Sequence, residues 1–235
     1  MPANRLMTVP ATGVLLAGIL AGLLTGCGGS SSSHEDPATA LKTAEQKLEN
    51  TSGVTLSLAT DNLPSGIHGV KGAEGTVTSA PAFDGSLSAV LSFGSVSVPI
   101  RSVGGKVYAQ IPLTSGWTTV NPSDYGAPDP AQLLSSDQGI PAVLAATKDP
   151  KQEGQVRGGP DNKEVLTEYT GTVPSSAAAH LIPGASGDFQ ATYGIASNGE
   201  LREAKLTGEF YSGKPDVTYT LALDNYGTQK NITAP

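Results

Sequence analysis

Cysteine and histidine are nearly absent from this sequence. Cys27 is the single cysteine among 235 residues, so no internal disulfide can form. The three histidines, His34, His68 and His180, are far apart in the chain, and no HExxH motif or Cys-His pair occurs. These absences argue against a transition-metal site, and we expect no metal and no cofactor.

Charged residues, and basic ones in particular, are also scarce. They make up 15% of the chain, with 14 Lys and Arg against 21 Asp and Glu, whereas roughly 25% is usual for soluble domains. The resulting net charge of −7 argues against nucleic-acid binding, which needs a basic surface. It also argues against electrostatic docking onto anionic lipid headgroups. No G-x-S-x-G elbow and no S-x-x-K nucleophile in a suitable context is present, so we expect no enzyme and no catalytic residues.

Long hydrophobic runs are missing with one exception, residues 11–24 near the N-terminus. This run is shorter than the roughly 20 residues of a membrane-spanning helix, and it follows Arg5, as the apolar core of a signal peptide does. The sequence Leu24-Thr25-Gly26-Cys27 then resembles the bacterial lipobox, in which the cysteine is alkylated with a diacylglyceryl group. An ordinary signal peptide with an incidental cysteine is the alternative. We expect residues 1–26 to be a lipoprotein signal peptide and Cys27 to be the lipidated residue.

Residues 27–36 are predicted to be a flexible tether, because Gly and Ser dominate them and no apolar side chain follows Cys27. Removal of residues 1–26 removes one charge, that of Arg5, and leaves a net charge near −8. Membrane attachment must then come from the acyl chains, two or three of which give stable anchoring. We expect one folded domain over residues 37–235, outside the bilayer and anchored at the extracytoplasmic face of the cell membrane.

The domain is predicted to begin with a helix. Asp36-Pro37 is typical of an N-cap followed by proline at the first helical position, and Leu41, Ala44 and Leu48 recur at helical spacing. Alternating apolar residues then predict strands at residues 54–58, 87–93, 96–100 and 107–111, with a hairpin turn at Gly104-Gly105. Pro99 indicates an edge or a bulge.

A polar, proline-rich stretch at residues 114–129 separates these strands from the second half of the domain. Short helices are predicted at residues 129–134 and 139–146, and a helical turn at residues 175–181. Further strands are predicted at residues 165–173, 188–195, 201–210 and 217–223, with a turn at Asn198-Gly199. Strands interrupted by a helical block favour an α+β fold with helices on one face of a curved antiparallel sheet.

Two residue sets could be read as ligand sites. The glycines at positions 66, 69, 72 and 75 recur every third residue, but no βαβ unit surrounds them, so we interpret them as loop and bulge glycines and not as a phosphate cradle. Asp124, Asp129 and Asp137 could be paired carboxylates or calcium ligands. The prolines between them favour turns and helix caps instead.

Several segments together resemble the LppX/LprA/LprF/LprG family of mycobacterial lipoproteins. The central part is carried by Gly116-Trp117, Asp124-Tyr125-Gly126 and the segments 129–134 and 139–144. Residues 104–109, 170–173 and 221–227 resemble the family's hairpin and later strands in colinear order. Two positions differ, since Tyr226 stands where the family usually has Trp, and Tyr193-Gly194-Ile195 where it has Trp-Ile.

The resemblance implies a half-barrel antiparallel sheet whose concave face is covered by helices, enclosing an apolar cavity. It also implies binding of multi-acylated lipids or lipoglycans and their transport across the cell envelope by a monomeric lipoprotein, with an inner-membrane export protein as a further partner. A surface lipoprotein that scaffolds such an export protein without carrying lipid is the alternative. One-sided strands and a helix supply the residues that we expect to line the cavity: Leu87, Ala89, Leu91, Phe93, Val143, Val217, Tyr219, Leu221 and Leu223.

Replacing Cys27 with serine is expected to abolish lipidation and to leave the protein soluble or unprocessed, because no other anchor is predicted. Membrane fractionation with mass spectrometry of the N-terminal peptide measures both effects. A Cys27→Ser protein that is still processed and held in the membrane by an acyl chain would contradict the lipobox assignment.

Overall fold

A computed structural model describes residues 35–91 and 94–235, apart from the side chain of Leu91. The helices in this part are α1 Pro37–Glu49, α2 Ile140–Ala146 and α3 Ser175–Ala178. The strands are β1 Gly53–Ala59, β2 Gly69–Thr78, β3 Ala82–Leu91, β4 Gly94–Val103, β5 Lys106–Ala109, β6 Thr118–Val120, β7 Lys148–Gly158, β8 Glu164–Val173, β9 Ser186–Ala196, β10 Leu201–Glu209 and β11 Val217–Asp224.

The described strands form a single antiparallel sheet in the order β6-β5-β4-β3-β2-β1-β11-β10-β9-β8-β7. Strands β1 to β6 are therefore one meander and strands β7 to β11 another, and the two are joined by the pairing of β1 with β11. The sheet is curved but not closed, with β6 and β7 at its edges. The predicted fold class, a curved antiparallel sheet with few helices, is confirmed.

Helix α1 forms where the capping signals predict it. The Asp36 carboxylate accepts a hydrogen bond from the Thr39 backbone N–H at 3.1 Å, and Pro37 occupies the first turn. Ala40, Leu41, Ala44 and Leu48 are buried, and they pack in one hydrophobic core with α2 and the sheet. Among the described helices, none has the length and hydropathy of a membrane-spanning segment.

The helical segments after β6 follow the sequence prediction only in part. Helices α2 and α3 lie within the predicted ranges, but residues 129–134 do not form the predicted helix. A single 3-10 turn, Pro130–Gln132, is found there. Its cap is Asp129, whose carboxylate accepts from the Ala131 N–H at 2.9 Å and from the Ser102 hydroxyl at 2.6 Å. The predicted capping role is thereby confirmed for Asp129.

The turn predictions for the hairpins hold. Gly104 and Gly105 both have positive φ, 61° and 70°, as a two-residue hairpin turn requires. The Pro99 carbonyl accepts from the Gln110 N–H at 3.0 Å, and the β4–β5 pairing ends there because proline has no N–H to return. Pro99 thus lies at a local edge of the sheet, as predicted.

The interpretation of the glycine series as loop and bulge residues holds for Gly66 and Gly72 and is wrong for Gly69 and Gly75. Gly69, Gly72 and Gly75 belong to β2, and a register shift beside Gly72 is the single bulge that the series contributes. Gly75 is paired with Gly85 of β3, and the Phe83 ring covers both positions. The absence of side chains at these two positions lets the ring lie flat on the sheet, where it is 3% exposed.

Gly75→Ala is expected to destabilise the domain by about 1–3 kcal/mol, since a new Cβ overpacks a filled site. That Cβ would meet Phe83 Cζ at 2.6 Å and the Asp84 carbonyl oxygen at 2.8 Å. Gly154→Ala in β7 is the matched control, because its Cβ would meet nothing within 4 Å, and we expect a change within about 0.5 kcal/mol. Chemical denaturation of both variants tests this. Equal stability of the two variants would contradict the packing argument.

Candidate functional site

One face of the sheet carries the apolar residues and packs against the helices. Phe189, Ala191, Tyr193 and Ile195 of β9 are all buried and belong to the same core as α1 and α2. The Tyr193 hydroxyl lies 2.8 Å from the Thr147 hydroxyl at the end of α2, so that the strand and the helix are joined directly. This contact shows which face of the sheet is the concave, helix-covered one. Strand alternation alone does not distinguish the two faces.

Side chains on this face form a continuous row across neighbouring strands. Strand pairing places each of them opposite the next, from β8 at one end to β4 at the other. We call this row the apolar strip: Tyr169, Tyr193, Ala204, Leu221, Leu58, Ala73, Leu87 and Val98.

Burial changes along the apolar strip. Tyr193 is 1% exposed and Ala204 6%, because α1 packs on β7 and β10 and α3 on β9, while Thr147 at the end of α2 contacts Tyr193. Leu221 and every strip residue beyond it as far as Val98 are only half-buried. On that side the 3-10 turn after Asp129 contacts β2, β3 and β4, and it lies beside Ser102 and not over the strip. The apolar strip therefore runs from beneath the helices to an open end on β1 to β4.

The residues predicted to line a cavity fall into two groups. Leu87, Ala89 and Leu221 lie half-buried on the concave face, in or beside the apolar strip. The other described members are buried in the packed core, and these are Val143, Val217, Tyr219 and Leu223. The side chain of Leu91, and the whole of Phe93 and Cys27, lie outside the described residues. Lipid contact and lipidation stay predictions for all of them.

The enclosed cavity also stays a prediction. Two pockets among the described residues have volumes of about 230 and 330 Å³. The first lies over Leu166 and Gly194 on the outer face, and the second lies between Ser79 and Lys230. Neither is between the sheet and the helices, where the structure instead has packed side chains on one side and the open part of the apolar strip on the other.

Next to the apolar strip lies a polar contact that the sequence did not indicate. The Tyr219 hydroxyl donates to the Val70 carbonyl, at the bulge of β2, and lies 3.0 Å from the Tyr211 hydroxyl. Burial first, and then the neighbouring Tyr211, raise the pKa of Tyr219 far above its usual value, so it stays neutral and can donate. Alternation placed Tyr219 on the apolar face of a strand, but only tertiary structure could supply Val70 as its acceptor.

The buried tyrosines Tyr193 and Tyr226 both have partners for their hydroxyl groups. Tyr193 uses Thr147, and burial raises its pKa to about 12. The Tyr226 hydroxyl donates to the Leu201 carbonyl at 2.7 Å, and the Arg202 guanidinium lies 5.7 Å from the centre of its ring. Each tyrosine is thus buried without leaving its hydroxyl group unsatisfied.

The ion pairs of the described strands lie on the outer face of the sheet or at its rims. Arg202 forms ion pairs with Glu164, Glu200 and Asp224 at 2.9, 3.1 and 3.5 Å. The pKa of Asp84 is lowered by its hydrogen bonds from Lys230 and, more weakly, from Arg101. No residue of the apolar strip is ionisable near neutral pH, and within the described residues no group of three metal-ligating side chains converges. This arrangement suits an uncharged apolar ligand.

Comparison with known proteins identifies a matching family and solved structures of similar architecture. A family model described as LppX_LprAFG lipoprotein matches residues 36–233. The solved structure of LprF from Mycobacterium bovis is similar with a TM-score of 0.66 at 17% identity, covering 85% of this chain and 96% of that one. The lipoprotein LppX from Mycobacterium tuberculosis gives 0.61 at 18% identity, covering 85% and 100%. At these identities the likeness shows the fold. No curated protein matches the chain.

The difference in burial along the concave face predicts opposite responses to added bulk. Ala89→Trp, on the open side, should leave the free energy of unfolding nearly unchanged, because its surroundings are half-exposed. Ala191→Trp, in the covered core, should lose about 1–3 kcal/mol through overpacking. Thermal denaturation of both proteins checks this, and a comparable loss in Ala89→Trp would mean that the open side is packed after all.

Proposed function

The chain belongs to the LppX_LprAFG lipoprotein family, and from this membership and the apolar strip we propose that it binds multi-acylated lipids or lipoglycans and carries them across the cell envelope. In this proposal Cys27 holds the protein at the extracytoplasmic face of the cell membrane through its acyl chains. The protein acts as a monomer, with an inner-membrane export protein as a further partner. No chemical step is involved.

The observation that carries the proposal is the apolar strip with one covered and one open end. Eight neighbouring strands about 4.8 Å apart give it a length of roughly 34 Å. This is close to the roughly 30 Å hydrocarbon thickness of a bilayer, so the strip is long enough to hold an extended acyl chain. Its half-buried members Leu58, Leu87 and Val98 supply apolar contact area that is not used within the fold.

The energetic need for such a surface is large. Each buried CH₂ group is worth about 0.8 kcal/mol, so a lipid with several long chains cannot cross an aqueous space at a useful rate without shelter.

The proposal is tested with non-acylated protein that begins at Gly28, purified from the native host and examined by native mass spectrometry. Co-purified acylated lipid is expected. Persistent absence of lipid would instead favour the scaffold function.

Uptake of a phospholipid with a fluorescent acyl chain tests the site itself. Ala89→Trp should reduce uptake severalfold, because the added ring occupies the concave face beside the apolar strip. Ala222→Trp is the matched control, since this exposed alanine lies on the outer face of β11 and should leave uptake unchanged. Equal uptake by a folded Ala89→Trp protein and the wild type would refute the assignment of the lipid to this face.

A further inference from the structure

The loop between β5 and β6, residues 110–117, carries an apolar side chain that the fold does not use. Its first part is a tight turn in which the Ile111 carbonyl accepts from both the N–H and the hydroxyl of Thr114, at 3.2 and 2.7 Å. Leu113 is the third residue of this turn and is fully exposed, at 107% of its reference area. A leucine in that position gains nothing from packing within the chain.

The backbone at Leu113 is also unfavourable for leucine. Its φ is 70°, after Pro112, and the third position of such a turn normally takes glycine or asparagine. The other non-glycine residues with positive φ in the described chain are all Asp or Asn, which tolerate this conformation: Asp149, Asp161, Asn162 and Asn225. Leu113 therefore combines two costs, backbone strain and exposure, which a contact outside the chain could offset.

The loop stands beside the open end of the apolar strip. It begins with Gln110, whose N–H donates to the Pro99 carbonyl at 3.0 Å, and Pro99 follows Val98, the last residue of the strip. It ends at Trp117, which is half-buried and whose ring lies 5.2 Å from the guanidinium carbon of Arg101. Anything that binds Leu113 is thus brought to the place where the concave face is exposed.

Two loops at this end of the sheet lack ionised side chains, whereas the β1–β2 and β10–β11 loops between them carry Asp61, Lys214 and Asp216. Residues 110–117 contain no Asp, Glu, Lys or Arg, and neither do residues 174–185, which connect β8 and β9 at the same end of the sheet. Such loops can enter the bilayer interface without desolvating an ionised group. A leucine next to a tryptophan is suited to it, because tryptophan favours the headgroup level and leucine the acyl chains.

The predicted tether makes the bilayer the nearest available surface. If Cys27 is acylated, the ten residues 27–36 span at most about 35 Å and on average roughly 15–20 Å. The acidic mature chain, with a net charge near −8 after loss of Arg5, gains no electrostatic attraction from anionic lipids. Contact with the bilayer must therefore be apolar, and Leu113 is the described hydrophobic side chain with the greatest exposure.

We propose that residues 110–117 form a membrane-contact loop in which Leu113 inserts among the acyl chains. The loop holds the open end of the apolar strip against the bilayer, so that a lipid passes between bilayer and protein without crossing water. This inference rests on the proposed lipid-carrying function and names the surface from which the lipid is taken.

The sole tryptophan of the chain, Trp117, reports on the loop directly. The acylated protein is reconstituted in phosphatidylcholine vesicles, with and without phosphatidylcholine brominated on its acyl chains, and Trp117 fluorescence is recorded. Bromine quenches only at short range, so we expect strong quenching in the wild type. Because the acyl chains hold every variant on the vesicle, differences in quenching report the loop and not the anchoring.

Leu113→Gln should lose most of this quenching, and Leu113→Met should retain it. Val165→Gln is the matched control, since Val165 is also exposed, at 52%, but lies at the opposite end of the sheet. Leu113→Gly removes the apolar contact and the backbone strain together, and it should lose quenching while its melting temperature rises. That combination separates loss of membrane contact from loss of folding.

Two results would overturn the proposal: an unquenched wild type, or equal quenching in Leu113→Gln and Val165→Gln. In the second case another surface meets the bilayer. Uptake of fluorescent phospholipid from detergent, measured in parallel, separates this inference from the function on which it rests. If phospholipid is taken up while Trp117 stays unquenched, only the membrane-contact loop is refuted. If Trp117 is quenched but no phospholipid is taken up, the carrier function is refuted and the membrane-contact loop is retained.

Discussion

The pairing of β1 with β11 is the interaction on which the rest of the structure depends. It joins residues at opposite ends of the domain, as in the 3.0 Å hydrogen bond from the Thr55 hydroxyl to the Asp224 carbonyl, 169 positions away. Without it the two meanders would be separate sheets with two further unprotected edges. The entropic cost of closing so long a loop grows only slowly with its length, so a few paired residues with buried side chains can offset it.

The same pairing makes the concave face continuous. Leu58 opposite Leu221 continues the apolar strip from one meander to the other, and Leu56 opposite Leu223 does the same in the neighbouring row. Apolar and charged residues then separate by alternation alone. Phe83 and Leu201 point to the concave side, whereas their neighbours Asp84 and Arg202 form ion pairs elsewhere. One face can consequently receive hydrocarbon while the other remains in water.

The helices decide how much of the apolar face is available. They pack tightly over β8 to β10, where aromatic side chains also pack on one another, as Phe189 and Phe210 do at 5.0 Å. Over the part of β1 to β4 that carries Leu58, Ala73, Leu87 and Val98, no helix of the described chain takes that place, and these side chains stay half-exposed. A stable core and an unused apolar surface thus lie on one sheet, and the loop that carries Leu113 lies beside the unused part.

Local signals in the sequence were sufficient wherever one short segment contained the whole pattern. The cap at Asp36-Pro37, the glycine pair at 104 and 105, and the alternation of β8 to β11 predicted their elements correctly, and colinear segments predicted the family. Alternation of apolar and polar residues did not predict β7. This edge strand is mostly polar on both faces, and it is interrupted by Pro150 and two register shifts. Alternation also did not predict β2, where glycines make room for the ring of Phe83.

Tertiary structure alone decided which face of each strand is inside and how far it is covered. Alternation divides a strand into two faces, but which of the two is buried depends on the elements that pack against the strand. For the apolar strip that cover is α1 and α2, which lie far from most of the strands in sequence. Leu223 and Leu87 have similar local patterns, yet one is buried in the core and the other lies half-open. Side-chain burial depends on contacts between distant segments, and no local sequence pattern contains that information.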